Sequence, residues 1–257
     1  LTLVACGAAP PAPVAAPAAP APAPLDLVSA LAPNADMAAF AKFDWPRSTA
    51  VSPSERVFAN VLVMHGMTAE RFMIGMLAMR ASLGVECKHC HDLKLYPSDE
   101  LAPKRTARRM MIMAERINRE GFAGEARVTC YTCHRGEAKP PAPPEPPAPP
   151  AALALTDEQA NLAGRKVYKN VTLLAGRRAR FLPGIMAGFS AALGVPCSHC
   201  HVEGAWDRDD VPAKARAREM MRMTARANGE MFGAVEGIGC FTCHRGSPAP
   251  PPTRPEK

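Results

Sequence analysis

Cys87-Lys88-His89-Cys90-His91 sets a pattern that returns as Cys130-Tyr131-Thr132-Cys133-His134, Cys197-Ser198-His199-Cys200-His201 and Cys240-Phe241-Thr242-Cys243-His244. Eight of the nine cysteines lie in these four Cys-x-x-Cys-His runs. The spacing is the attachment signature of c-type haem. Two thiols so spaced add across the two vinyl groups of one porphyrin edge, and the His that follows lies under the iron. The residues predict four covalently bound c-type haems. Cys87 and Cys90, Cys130 and Cys133, Cys197 and Cys200, and Cys240 and Cys243 are the attachment pairs, with His91, His134, His201 and His244 on iron. A zinc ribbon also pairs Cys-x-x-Cys units, but does not require a His after each. A thioredoxin-like pair needs one motif, not four. Disulfides this short would close little loop entropy.

Composition agrees. Hydrophobic residues make up 47% of the 257, yet only 5% are aromatic, while Met numbers 14. A chain poor in large side chains needs something else to fill its core, and four macrocycles supply it. Thirty-one Lys and Arg against 24 Asp and Glu leave +7. Haem propionates are the natural partners of that excess. No nucleic-acid motif accompanies it, so nucleic acid is not a predicted partner. No window of about twenty apolar residues exists, so no helix is expected to span a membrane.

Two stretches align without a gap at an offset of 110 residues. Val57 matches Val167, Asn60 matches Asn170, and Leu83-Gly84-Val85 matches Leu193-Gly194-Val195. Met110-Met111 matches Met220-Met221, Arg116 matches Arg226, and Arg135-Gly136 matches Arg245-Gly246. The expected fold is mainly α: a multihaem c-type cytochrome of two similar dihaem modules, with little regular β structure. Three proline-rich runs hold 20 of the 28 prolines and set the boundaries. Such runs prefer extended spacers. The expected plan is a tether over 1–33, a first module over 34–139, a linker over 140–155, a second module over 156–247 and a tail over 248–257.

Thr68 to Leu83 reads as a helix closed by Gly84. It carries Met73, Met76 and Met79 on one face. In the second copy Met73 aligns with Pro183 and Met79 with Phe189, while Met76 aligns with Met186. Met76 and Met186 are therefore the candidate sixth ligands ahead of the first motif of each copy. A second helix spans about 104–118, and its counterpart 214–228. There Met110, Met111 and Met113 match Met220, Met221 and Met223, and the repeat does not separate them. Core packing is the ordinary use of Met at such positions. His65 aligns with Ala175 and reads as a surface or packing residue, and His89 and His199 are pinned inside their motifs. Leu3-Val4-Ala5-Cys6-Gly7 resembles the end of a bacterial lipoprotein signal, which makes Cys6 the candidate lipid anchor.

Taken together, the repeated motifs resemble the tetrahaem cytochrome subunit of photosynthetic reaction centres. Leu83-Gly84-Val85, Ala107-Arg108-Arg109-Met110 and Val128-Thr129-Cys130-Tyr131-Thr132-Cys133-His134-Arg135-Gly136 carry the likeness. It covers roughly 57–136 and 167–246. The resemblance implies a lipidated N-terminal Cys, an internal duplication and Met ligands at Met76, Met110, Met186 and Met220. The family often has one haem with two His ligands. The segment 119–129 contains no His, which points to four His/Met haems.

The expected function is membrane-anchored electron transfer, haem to haem, and the resemblance implies re-reduction of a photo-oxidised donor. An iron with both axial positions filled has no open site for substrate, so the chain is read as a carrier, not an enzyme. Alternatives are a respiratory or extracellular electron-transfer cytochrome of a non-phototroph, or a multihaem reductase or peroxidase with one open iron. Expected partners are reaction-centre core subunits or a soluble cytochrome, and the membrane through the lipid. Haem attachment of this kind places the chain on the periplasmic side of a bacterial membrane, or at the outer membrane or cell surface.

Overall fold

The fold begins from a duplication that the backbone itself repeats. Positive φ angles recur in pairs 110 residues apart: Asn60 and Asn170 at 61° and 55°, Gly84 and Gly194 at 64° and 68°, Arg135 and Arg245 at 49° and 46°. A non-Gly residue rarely adopts such angles, so matching pairs mark one folding pattern used twice. The computed structural model describes residues 35, 45–148, 155–232 and 237–253. Cys6, with the rest of residues 1–34, lies outside the described residues.

The α-helices are α1 (Arg47–Ala50), α2 (Ser54–Val57), α3 (Ala69–Leu83), α4 (Ala102–Gly121) and α5 (Cys130–His134), followed by α6 (Asp157–Asn161), α7 (Gly164–Val167), α8 (Leu182–Leu193), α9 (Pro212–Met231) and α10 (Cys240–His244). Short 3-10 turns cover Cys87–His89, Ala179–Phe181 and Cys197–His199. Among the described residues only isolated β-bridges occur, such as Pro53 with Thr68 and its repeat equivalent Ala163 with Arg178. The molecule is mainly α, as the sequence predicts.

Helix α3 ends where its sequence says it should. The Thr68 side chain accepts the Arg71 N–H at 3.3 Å, and Gly84 closes the helix in the left-handed region. Its counterpart α8 begins later. Pro183 sits in its first turn, where a missing N–H costs nothing, and a 3-10 turn over Ala179–Phe181 precedes it. The second-module helix is therefore 12 residues long against 15. Helices α4 and α9 each run 20 residues, two or three beyond the predicted limits at both ends. Pro103 and Pro212 occupy their first turns, another position where proline is tolerated.

Within each half, α3 packs on α5 and α8 on α10. Between halves, α4 packs on α9 and α5 on α10. Arg116 pairs with Glu230, and Arg226 with Glu120 at 3.6 Å. Because the pairing numbers run in opposite directions, α4 and α9 lie antiparallel about an approximate twofold. A Cβ added at Gly121 would meet Met223 Sδ at 3.2 Å, so the helices approach closely at that point.

Among the described residues, the buried apolar side chains are Val61, Ala69, Leu77, Ala78, Ile117, Ala179, Leu182, Ala187, Ala192 and Ala227. Six of these ten are alanines, and the largest fully buried side chains are Asn118, Thr132, Ser54 and Ser82. A self-sufficient core of this size buries Phe, Leu and Met.

Candidate haem-binding sites

Each Cys-x-x-Cys-His run folds as one tight turn. In the first, the Cys90 and His91 N–H groups donate to the Cys87 carbonyl at 3.2 and 3.0 Å, and Cys200 and His201 donate to Cys197 at 3.1 and 3.0 Å. The second and fourth runs are the short helices α5 and α10. The Thr inside each motif starts its helix: Thr132 Oγ1 accepts the Thr129 N–H at 2.9 Å, and Thr242 Oγ1 accepts the Gly239 N–H at 3.0 Å. The approach to these helices is pinned by an amide. Asn118 Nδ2 donates to the Val128 carbonyl, and Asn118 Oδ1 accepts the Val128 N–H, both at 2.7 Å. Asn228 holds Ile238 in the same way at 2.9 and 2.7 Å.

The second turn of each half is tied through glycine to the end of the helix that precedes the first. Gly136 N–H donates to the Ser82 carbonyl at 2.7 Å, and Gly246 to Ala192 at 2.8 Å. This brings Gly136 so near that a Cβ at Gly84 would sit 2.0 Å from the Gly136 oxygen. Gly84 is thus required twice, for its φ and for the contact.

All four motif histidines are oriented by a backbone carbonyl. His91 Nδ1 lies 3.2 Å from Tyr96 O, His201 Nδ1 2.9 Å from Trp206 O, His134 Nδ1 2.9 Å from Glu137 O, and His244 Nδ1 2.8 Å from Ser247 O. A carbonyl only accepts, so Nδ1 carries the proton in each case and Nε2 keeps its lone pair for a metal. Burial holds the His134 imidazole below its ordinary pKa, which favours that neutral form.

The eight motif thiols are free, none fully buried. Cys133 and Cys243 lie on α5 and α10, which pack across the twofold. The proximity of the two thiols holds Cys243 below the usual range, helped by Arg135 and Arg245, and raises Cys133. Two arginines lock the same contact reciprocally. Arg135 donates to the Cys243 and His244 carbonyls at 2.7 and 3.2 Å, and Arg245 to the Cys133 and His134 carbonyls at 2.8 and 3.2 Å. Nε of both arginines is buried without a hydrogen-bond partner.

These features fit a covalent macrocycle. Paired free thiols, a His with Nε2 unspent, a core lacking large side chains and two orphaned guanidinium N–H groups are what a haem with its carboxylates would complete. Among the described residues, no three His, Cys, Asp or Glu gather as an all-protein metal cage would require.

Met76, Met110, Met186 and Met220 lie on α3, α4, α8 and α9, each half-buried. Met73, Met79, Met111, Met113, Met221 and Met223 are half-buried as well, so burial does not single out one Met per helix. His65, His89 and His199 are exposed. Two groups escaped the sequence reading. Lys104 and Lys214 are buried at 8% and 7% exposure, and the roles of Arg135 and Arg245 depend on contacts about 110 residues away. The exact repeat of both pairs was the available signal.

Lys104 pairs with Asp99 at 3.3 Å, and Arg108 reaches the same carboxylate at 2.7 Å. Lys214 and Arg218 repeat this on Asp209 at 3.2 and 3.0 Å. Hydrogen bonds from Arg108, then Asn60, hold Asp99 far below the carboxylate range, and Arg218 and Asn170 do so for Asp209. Part of the basic excess is therefore committed to these carboxylates and not to propionates.

The family model for the photosynthetic reaction centre cytochrome C subunit matches the chain twice, over residues 34–143 and 141–254. The chain belongs to this family. The reaction-centre cytochrome subunit of Rubrivivax gelatinosus is 28% identical over 252 residues, covering 77% of this chain and 68% of the relative. That of Roseobacter denitrificans is 27% identical over 258 residues, covering 76% and 69%. That of Thermochromatium tepidum is 35% identical over 91 residues, covering 33% and 22%. As a member of the reaction-centre cytochrome family, the chain is a haem-based electron carrier with covalently bound c-type haem. No helix among the described residues is long and apolar enough to cross a membrane.

Proposed function

We propose that this reaction-centre cytochrome carries four haems, two in each of the modules 34–139 and 156–247, and re-reduces a photo-oxidised reaction centre. The observation that carries the count is that all four Cys-x-x-Cys-His turns orient their His alike, through Nδ1 to a backbone carbonyl. Cys87 and Cys90, Cys130 and Cys133, Cys197 and Cys200, and Cys240 and Cys243 would hold the four groups. His91, His134, His201 and His244 would ligate through Nε2, with Met76, Met110, Met186 and Met220 opposite. When bound, haem would supply a one-electron iron couple, which Met and His as its ligands would set above the bis-His range. Arg135 and Arg245 have a buried Nε–H suited to a propionate, and they clasp the second and fourth turns together. Those turns, through Cys133 and Cys243, are where the attachment sites of the two halves meet. Cys6 would anchor the chain by lipid on the periplasmic side of the membrane, beside the reaction-centre core subunits that are its proposed partners. One acyl-anchored Cys attaches a protein without spanning the bilayer.

Haem per polypeptide, measured as the pyridine haemochrome, tests the count: the reading requires four. Flash excitation of reaction-centre cores mixed with the reduced protein tests the role. Millisecond or faster oxidation of the cytochrome supports it, and a dark donor that recovers equally without the protein overturns it.

A further inference from the structure

Lys104 and Lys214 are buried cations, which is rare unless a specific partner holds them. Their partners are the carbonyls that orient two of the histidines. Tyr96 O accepts His91 Nδ1–H at 3.2 Å and Lys104 Nζ at 2.8 Å. Trp206 O accepts His201 Nδ1–H at 2.9 Å and Lys214 Nζ at 2.9 Å. Each ammonium also donates to a second carbonyl, Ser98 O at 2.8 Å or Arg208 O at 2.6 Å, which fixes its place. The second and fourth turns differ: among the described residues no ammonium shares Glu137 O or Ser247 O, which accept their His.

We infer that Lys104 and Lys214 are positioning residues that raise the reduction potentials at the first and third attachment sites, by sharing the carbonyl that accepts the ligand His Nδ1–H. The physics has two parts of one sign. A carbonyl hydrogen bond at Nδ1 makes the imidazole a stronger donor to iron, which favours the oxidised state. An ammonium on the same oxygen draws off its electron density, weakens that push and favours the reduced state. The ammonium's field adds to this, because a nearby positive charge opposes the extra charge of oxidised iron. Asp99 and Asp209 offset the field only in part, since Arg108 and Arg218 lean on the same carboxylates. Two classes of site result: the carbonyl carries the cation at the first and third turns, whereas at the second and fourth an arginine from the opposite half bonds the Cys and His carbonyls.

This inference rests on the ligand reading proposed above. The test is a spectroelectrochemical titration of the holoprotein with haem counted by mass. Lys104→Met keeps the stem and removes the charge. It should shift one haem toward oxidation about tenfold at fixed ambient potential, or about 59 mV for one electron, and leave three unmoved. Lys214→Met should shift a different one. Lys104→Arg keeps the cation and should hold the potential, while Asp99→Asn should move the same haem the opposite way. Four unmoved potentials in both Met variants, with four haems present, would overturn the inference. So would Arg and Met shifting the haem equally, or Asp99→Asn shifting it in the Met direction, since both outcomes mean loss of packing. If a Met variant yields no holoprotein, the Arg and Asn variants decide by sign. Fewer than four haems in the parent protein would instead defeat the ligand reading.

Discussion

Replacing Asn118 by alanine isolates the device that aims the second attachment turn. Asn118 is fully buried, and its amide makes two 2.7 Å bonds to Val128, two residues before Cys130. Alanine removes both and strands the Val128 N–H and C=O. A stranded buried group costs about 1–3 kcal/mol, and Val128 is half-buried, so water relieves part of the loss; the sum is about 2–4 kcal/mol. Asn228 makes the same pair of bonds to Ile238 at 2.9 and 2.7 Å, but is itself only half-buried. Its alanine variant should lose about 1 kcal/mol less. The two sites are in different halves, so the double variant should be close to additive. Guanidinium denaturation of the holoprotein, followed by far-UV circular dichroism, reads all three. Covalent haem content should not change. An unmoved midpoint for Asn118→Ala, or a larger loss for Asn228→Ala, would refute the argument.

Met76→Ala or Met186→Ala should lower the potential of one haem while covalent haem is retained; a redox titration with four unchanged potentials would remove that ligand assignment. Cys130→Ser leaves one thioether at the second site and should cut the yield of fully loaded protein, a result that intact-mass analysis showing complete occupancy would contradict. The Asp99 and Asp209 clasps set an acid limit. Their folded pKa values are depressed, so their contribution is complete above the unfolded aspartate value of about 4 and is lost as pH falls below it. The denaturation midpoint should therefore owe these clasps nothing further between about pH 5 and 8, and Asp99→Asn with Asp209→Asn should flatten the fall below about pH 4. An acid limb identical in that double variant would rule the clasps out as its cause.

Local chemistry was legible in the sequence, and long-range chemistry was not. Four Cys-x-x-Cys-His runs and an ungapped repeat are visible to the eye, and Thr68 with Gly84 marks a helix because capping needs only neighbours. The scarcity of aromatics pointed to a core that needs more than side chains, and six of the ten buried apolar residues described are alanines. The late start of α8 was hidden because aligning it with α3 ignores what Pro183 does to the first turn. Arg135 and Arg245 showed only as a matched Arg-Gly pair, since their partners lie about 110 residues away. Lys104 entered the sequence reading only as the approximate start of a helix. Nothing local says that its stem turns inward to the carbonyl that His91 uses.

The central claim is that this polypeptide carries four haems through its own cysteines. Its most direct test is the mass of the denatured chain after acid extraction of loose haem. The account predicts the polypeptide, with any lipid, plus four haems, and all the colour staying with the chain. A mass corresponding to fewer haems, or colour leaving with the solvent, would contradict it.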